Sequence, residues 1–290
     1  MIRQSPYHRR RFVAFVDVAG IKGQRLHFVA AERRIINIVQ AGIGSIADNF
    51  ADDFRRYDLT SIAVCDKEGR LVGIVTVDDV IDVMEAEATE DFELMAAMTP
   101  SDKPYSRTSA WDMWKRRVPW LMFLMLSATF TSMIINSFED ALAVQAVLIG
   151  FIPMLMGTGG NSGAQASTAV IRSISLGDTE PEDVGRVIWK EFRVAILCGV
   201  TLAAVNFAKM LLVDRMLLNN DGVTITVAAV VSLSIVLIVM FAKVVGSVLP
   251  IAAEKLGVDP AVMANPLIST ITDAVSLLIY FEIAKLMISF

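Results

Sequence analysis

Leu267-Ile-Ser-Thr-Ile-Thr-Asp273-Ala-Val-Ser-Leu-Leu-Ile-Tyr-Phe281 places one carboxylate in the middle of a run that otherwise belongs in lipid. With its flanks, from Pro260 to Phe290, the run is long enough to cross a hydrocarbon core of about 30 Å at about 1.5 Å per residue, and Asp273 falls near mid-depth. An ionised Asp there costs from about 3 to more than about 10 kcal/mol, so a cation, a proton or a polar partner helix must offset it. Ser269, Thr270 and Thr272 lie within a turn of Asp273, and Asn265 two turns before it. Oxygen-bearing groups therefore gather on part of this helix. An Asp that only binds the bundle together is the plainer reading, but ionisable groups at this depth are by default functional.

Working outward, the chain of 290 residues is 54% hydrophobic and 20% charged, too apolar for a soluble protein and too charged for a purely membrane one. Residues 1–47 hold eight Lys/Arg against two Asp/Glu, residues 48–100 four against fourteen, and residues 101–290 fourteen against fifteen. The net charge of −5 thus hides a basic head, an acidic module and a balanced remainder. Cys65 and Cys198 fall in a soluble segment and an apolar one, which argues against a disulfide and a thiolate metal site, and both read as small core residues. Met1 opens a basic stretch without a sustained apolar core, so no signal peptide is expected.

Five apolar segments follow one another, about Val118 to Phe138, Ala141 to Ser175, Val187 to Leu212, Val223 to Ala253 and Val262 to Phe290. Lys115 to Arg117, beside Trp111, Trp114 and Trp120, mark a cytoplasmic interface, and Arg172, Arg186, Lys190, Arg193 and Lys255 fall on the same side. The N-terminus is then cytoplasmic and the C-terminus outside. The second segment carries Pro153, Gly157, Gly159, Gly160, Asn161, Gly163 and Gln165. Four glycines, each about 1 kcal/mol worse than Ala in a helix, predict a break that turns carbonyls toward a cation. A small-residue packing face is the competing reading, since Gly159 and Gly163 are spaced for close helix contact. Asn161 and Gln165, one turn apart, favour the lining of a path.

Ahead of the spans, Ser61 to Cys65 and Leu71 to Thr76 alternate as strands around the turn Asp66 to Gly69, and a helix begins at Val77. Asp78, Asp79, Asp82, Glu85, Glu87, Glu90 and Asp91 lie within fifteen residues at helical spacings. Like charges so placed repel, and a bridging Mg²⁺ or Ca²⁺ would relieve them, whereas a solvated acidic face with Thr76 as N-cap needs no ligand. Thr99 to Pro104 reads as a linker and Ser109 to Arg117 as an interfacial helix. In the basic head, Arg33 to Gln40 offers a candidate amphipathic helix able to touch anionic lipid, with a disordered or poorly packed tail as the favoured reading.

Three stretches, Pro153 to Gln165, Asp259-Pro-Ala-Val with Asn265 to Asp273, and Tyr57 to Thr60 with Gly73 to Asp91, resemble the MgtE family of magnesium channels and transporters. The resemblance runs from about residue 50 to 290 and implies a mainly α fold: a five-helix transmembrane domain preceded by a partial α/β CBS-type cytosolic module. The expected division is 1–47 unassigned, 48–98 the second half of a CBS module with an acidic connecting helix, 99–117 linker and interfacial helix, and 118–290 the pore domain. It implies a homodimer in the inner cell membrane that imports Mg²⁺, is not an enzyme, and has membrane lipid but no nucleic acid as a partner. Asp273 would hold hydrated Mg²⁺, supported by Asn265, Asn161 and the carbonyl of Ser269. Asp58, Asp79, Asp82, Glu87, Glu90, Asp91 and Asp259 would sense cytosolic Mg²⁺ and close the pore. The first 47 residues resemble neither the acidic N-terminal domain nor the first CBS half of that family, so a truncated or frame-shifted reading is expected, with half of each sensor site missing. A proton-coupled carrier is disfavoured because only Asp273 is counted as an acid at depth. A fragment that only dimerises stays open.

Overall fold

In a computed structural model of the chain, residues 29–31, 34–36, 54, 57–65, 70–101, 103–139, 146–179, 181–263 and 265–288 are described. The turn expected at Asp66 to Gly69 lies outside them, as does most of the basic head. The chain divides into two compact units, Met1–Thr89 and Glu90–Phe290.

In the first unit, β1 (Val29–Ala31) pairs antiparallel with β2 (Arg34–Ile36). Residues 34–36 are therefore extended where the amphipathic pattern from Arg33 offered a helix candidate. Adjacent β-branched Ile35 and Ile36 suit a pleated pair better than a helical turn. Next, β3 (Ser61–Cys65) and β4 (Leu71–Thr76) pair antiparallel, Ser61 opposite Thr76 and Ala63 opposite Ile74, with an irregularity at Val64/Cys65. Their bounds are those the alternation predicted. Helix α1 (Val77–Met95) leaves β4 without a loop, and Phe54, Ile62 and Val80 bury together beneath it.

In the second unit, Ser109 caps α2 (Ala110–Ser137), its Oγ accepting the N–H of Asp112 at 3.1 Å. The interfacial helix and the first apolar segment are thus one continuous element. Trp111 and Trp114 stack at 4.5 Å, and the Lys115 Nζ lies 5.6 Å from the Trp111 ring, a tryptophan–lysine cluster suited to a headgroup layer. A short 3₁₀ segment, Ala146–Phe151, leads into α3 (Ile152–Ser175). Then come α4 (Val184–Lys209), prolonged as a π-helix over Met210–Leu217, α5 (Ile225–Lys255) and α6 (Asn265–Met287). Four of these, α2, α4 with its extension, α5 and α6, are long and apolar enough to cross a membrane. The expected second span corresponds to α3, whose 24 residues are long enough at about 1.5 Å each but include glycine, Asn161 and Gln165.

The bundle is organised on α5, against which α3, α4 and α6 all pack, while α2 leans on α6. Its core joins Leu148, Leu155, Val231, Ile238, Leu277 and Phe281. Tyr280 is fully buried, and its hydroxyl donates to the carbonyl of Leu148 at 3.0 Å. Tyr280→Phe is expected to remove this buried bond and to lower stability by about 1–2 kcal/mol, read as a fall in the thermal midpoint of the detergent-solubilised protein.

The glycine-rich stretch corrects one expectation outright: Pro153 to Gln165 is α-helical throughout. Pro153 occupies the first turn, where its missing N–H costs nothing, and the irregular backbone lies upstream, in the 3₁₀ segment. Most of the glycines serve close approach. A Cβ at Gly159 would stand 2.7 Å from Ser276 Oγ and 2.9 Å from Ile238 Cγ2, and one at Gly163 would stand 2.6 Å from Ile268 Cγ2. A Cβ at Gly246 would collide with the carbonyl of Gly163. The helix penalty of these glycines is outweighed by contact that any side chain would prevent.

Candidate functional site

Helix α3 has two unlike faces. Leu155, Gly159, Gly163, Ala166 and Val170 are buried against the bundle, whereas Gly157, Asn161, Gln165, Thr168 and Arg172 are exposed. The exposed set recurs every three or four residues and so forms a single stripe. A stripe bearing an amide at both Asn161 and Gln165 is a poor surface to offer hydrocarbon, which satisfies no polar group. Of the glycines, Gly157 meets nothing within 4 Å and leaves the stripe open at that level.

Gly160 carries the link to α6. A Cβ there would lie 3.2 Å from Ser269 Oγ and 3.5 Å from Ser269 Cβ, so α3 and α6 touch beside Asn161. The carbonyl of Ser269 accepts the hydroxyl of Thr272 at 3.0 Å and retains a second lone pair. One turn on is Asp273, half-buried. Among the described residues its carboxylate has no hydrogen-bond or ion-pair partner. Asn265 opens α6, but its side chain lies outside the described residues. Ser269 and Asp273 share one region of α6, and Asn161 and Gln165 share the exposed stripe of the helix packed against it.

The acidic residues expected to sense Mg²⁺ are not gathered in the same way. Among the described residues no group of three or more His, Cys, Asp or Glu converges to hold a metal within one chain. Asp58 is exposed in a left-handed turn at φ 49°. Asp82 and Glu90 are exposed along α1, with Glu87 and Asp91 half-buried on the same helix. Asp259 is exposed, and its Oδ1 accepts the N–H of Ala261 at 2.8 Å, capping the short turn before α6.

Asp79 has a definite local task. Its Oδ2 accepts from the hydroxyl of Thr76 at 2.6 Å and from the N–H of Thr76 at 2.9 Å, closing the first turn of α1. The side-chain bond first, then the backbone bond, holds its carboxyl below the ordinary value. A depressed pKa contributes stability above the ordinary carboxylate range, lost as pH falls through the lowered value. Amide exchange at Thr76 to Val80, corrected for its intrinsic pH dependence, is therefore expected to speed up below about pH 4. In Asp79→Ala it is expected to be fast already at neutral pH.

Three buried polar contacts have no counterpart in the sequence reading. Asn206 Nδ2 donates to Ser232 Oγ at 3.2 Å, tying α4 to α5. Tyr280 reaches Leu148, as above. Lys243, 5% exposed, lies in the interior of α5 with its Nζ 4.0 Å from Oε2 of Glu191 on α4. Glu191 is thus a second acid inside the bundle, where only Asp273 had been counted. Its signal was a solitary lysine within a long apolar helix.

Comparison with known proteins follows the same seam. Residues 152–283 match the profile of a family described as a divalent cation transporter, MgtE, and residues 45–86 match the CBS domain. The magnesium transporter MgtE of Thermus thermophilus is 44% identical over 232 residues, covering 80% of this chain and 50% of that protein. Its namesake from Bacillus subtilis is 38% identical over 229 residues, 79% of this chain and 49% of that protein. That of Enterococcus faecalis is 31% identical over 252 residues, 86% and 52% respectively. The chain spans about half the length of the curated relatives it matches.

Proposed function

Because the chain belongs to the MgtE family of divalent cation transporters, we propose that it conducts Mg²⁺ across a membrane as a homodimer, with Asp273 holding the hydrated ion. The observation that carries this reading is a carboxylate on α6 that has no partner among the described residues, on a helix that packs against α3 and its exposed polar stripe. A second copy facing this seam would cover both at once. Two Asp273 carboxylates across a two-fold axis carry the charge that neutralises one divalent ion. Mg²⁺ sheds water reluctantly, so Asn161, Gln165 and the Ser269 carbonyl would meet its hydration shell rather than the bare ion, and selectivity would follow the size of a hydrated octahedron.

No coupling ion is required. A divalent cation entering against about 100 mV of inside-negative potential gains about 4.6 kcal/mol. The positive charges of Lys115 to Arg117 support a cytosolic side for the module of β3, β4 and α1. There the acids Asp58, Asp79, Asp82, Glu87, Glu90, Asp91 and Asp259 would respond to internal Mg²⁺, a role checked by uptake rates at varied internal Mg²⁺ with Asp82 and Glu90 changed to Asn and Gln.

The test is Mg²⁺ uptake into proteoliposomes of this chain alone under an imposed inside-negative potential, with a proton ionophore present. Uptake that follows the potential and ignores the ionophore is expected. Uptake that collapses with the proton gradient would make the protein a proton-coupled carrier, and none at all would make it a dimerising fragment.

A further inference from the structure

The buried pair Glu191–Lys243 lies outside the seam just described, yet in its immediate neighbourhood. Lysine is almost never fully buried unless paired, and Glu191 is the acid that faces Lys243, at 4.0 Å between Oε2 and Nζ with side chains 14% and 6% exposed. That separation exceeds a direct hydrogen bond, so the contact is a charge pairing first. The next residue back locates it. The carbonyl of Ala242 is 3.1 Å from where a Cβ of Gly163 would stand, and Ile268 Cγ2 is 2.6 Å from the same point. Lys243 therefore adjoins the layer in which α3, α5 and α6 cross. Ile268 precedes Asp273 by five positions, a rise of about 7.5 Å along α6.

We infer that Glu191 and Lys243 form a charge-compensating latch between α4 and α5, in which Glu191 keeps the lysine's positive charge from opposing a divalent cation at Asp273. Both are positioning residues: neither touches the ion. A lone ammonium inside the bundle repels a divalent ion with twice the force it exerts on a monovalent one, and the low dielectric of the interior leaves that force poorly screened. With the carboxylate beside it, the pair presents a dipole whose field fades quickly with distance. The same pair fixes how α4 leans on the central helix, because either charge left alone inside the bundle is costly.

The latch rests on the ion path proposed above, so its test has an arm that does not depend on transport. In proteoliposomes, Glu191→Gln is expected to raise the half-saturating external Mg²⁺ about tenfold, the equivalent of about 1.4 kcal/mol. The double variant Glu191→Gln/Lys243→Met is expected to return it to within about twofold of the parent. A merely structural role would lower the maximal rate without moving half-saturation. An unmoved half-saturation in Glu191→Gln, or a double variant as impaired as that single one, overturns the latch. In lipid nanodiscs, each single neutralisation is expected to lower the thermal midpoint by roughly 5–10 °C, and the double variant to recover most of it. If the parent chain takes up no Mg²⁺, the ion path fails and this arm decides for the latch alone: additive losses in the double variant overturn it.

Discussion

Asp273→Ala is expected to abolish the Mg²⁺ uptake proposed for the reconstituted chain and to leave its expression, extraction and oligomeric state unchanged, the largest effect expected of any single substitution here. At an effective dielectric of about 20, a carboxylate about 6 Å from a hydrated divalent ion contributes roughly 5 kcal/mol of attraction. Each 1.4 kcal/mol is a factor of ten, so losing the charge on both copies drives flux below detection. The fold should survive, because Asp273 gives up no hydrogen bond among the described residues when it is removed. Asp273→Asn keeps the shape and tests the charge alone, and it is expected to be nearly as inactive. Preserved uptake in Asp273→Ala at normal expression would remove the residue from the ion's route.

Gly160→Leu is expected to have the second-largest effect, through space rather than charge. The Cβ would already stand 3.2 Å from Ser269 Oγ, tight enough that the serine must give by a few tenths of an ångström. Alanine asks only for that adjustment. Leucine adds three further carbons where α3 meets α6, and overpacking of this kind typically costs about 1–3 kcal/mol when it stays inside a core. Beside the proposed ion path it would separate the two helices or fill the space a hydrated ion would need. Uptake should therefore fall by at least about tenfold in Gly160→Leu and remain substantial in Gly160→Ala, with both proteins monodisperse in detergent. Normal flux through Gly160→Leu would reduce the Gly160–Ser269 contact to ordinary packing.

Much of this arrangement could be read in advance, for physical reasons that differ from element to element. Strands Ser61–Cys65 and Leu71–Thr76 and the start of α1 at Val77 were legible residue by residue, because period-two alternation and a Thr cap are local signals. The place of Asp273 inside an apolar helix was legible because charge in an apolar run is conspicuous. The course of residues 153–165 was not. Helix propensity is measured on isolated chains, and it misjudges glycines whose role is to let Ile268, Ala242 and Ser276 approach. The Glu191–Lys243 pair escaped for another reason: its halves sit in different helices, and no local pattern says which helices adjoin. At Arg34 to Ile36 neither the helix candidate nor the favoured unstructured tail anticipated a strand, because basic amphipathic spacing and a β-branched pair compete over so few residues.

The bond from Tyr280 to Leu148 has a consequence for the order in which the protein is made. Its partners are separated by 132 residues, which a ribosome adds in on the order of ten seconds. Throughout that interval the 3₁₀ segment has been synthesised without the hydroxyl that satisfies it, and Gly159, Gly160 and Gly163 face a place not yet taken by α6. Earlier helices can pair with one another, α4 with α5 and α3 with α5, but the groove they leave is filled only when the last one arrives. Assembly is therefore completed from its final helix, and that helix also carries Asp273. Until α6 arrives, a nascent bundle lacks both the helix that fills its groove and the carboxylate proposed to hold the ion.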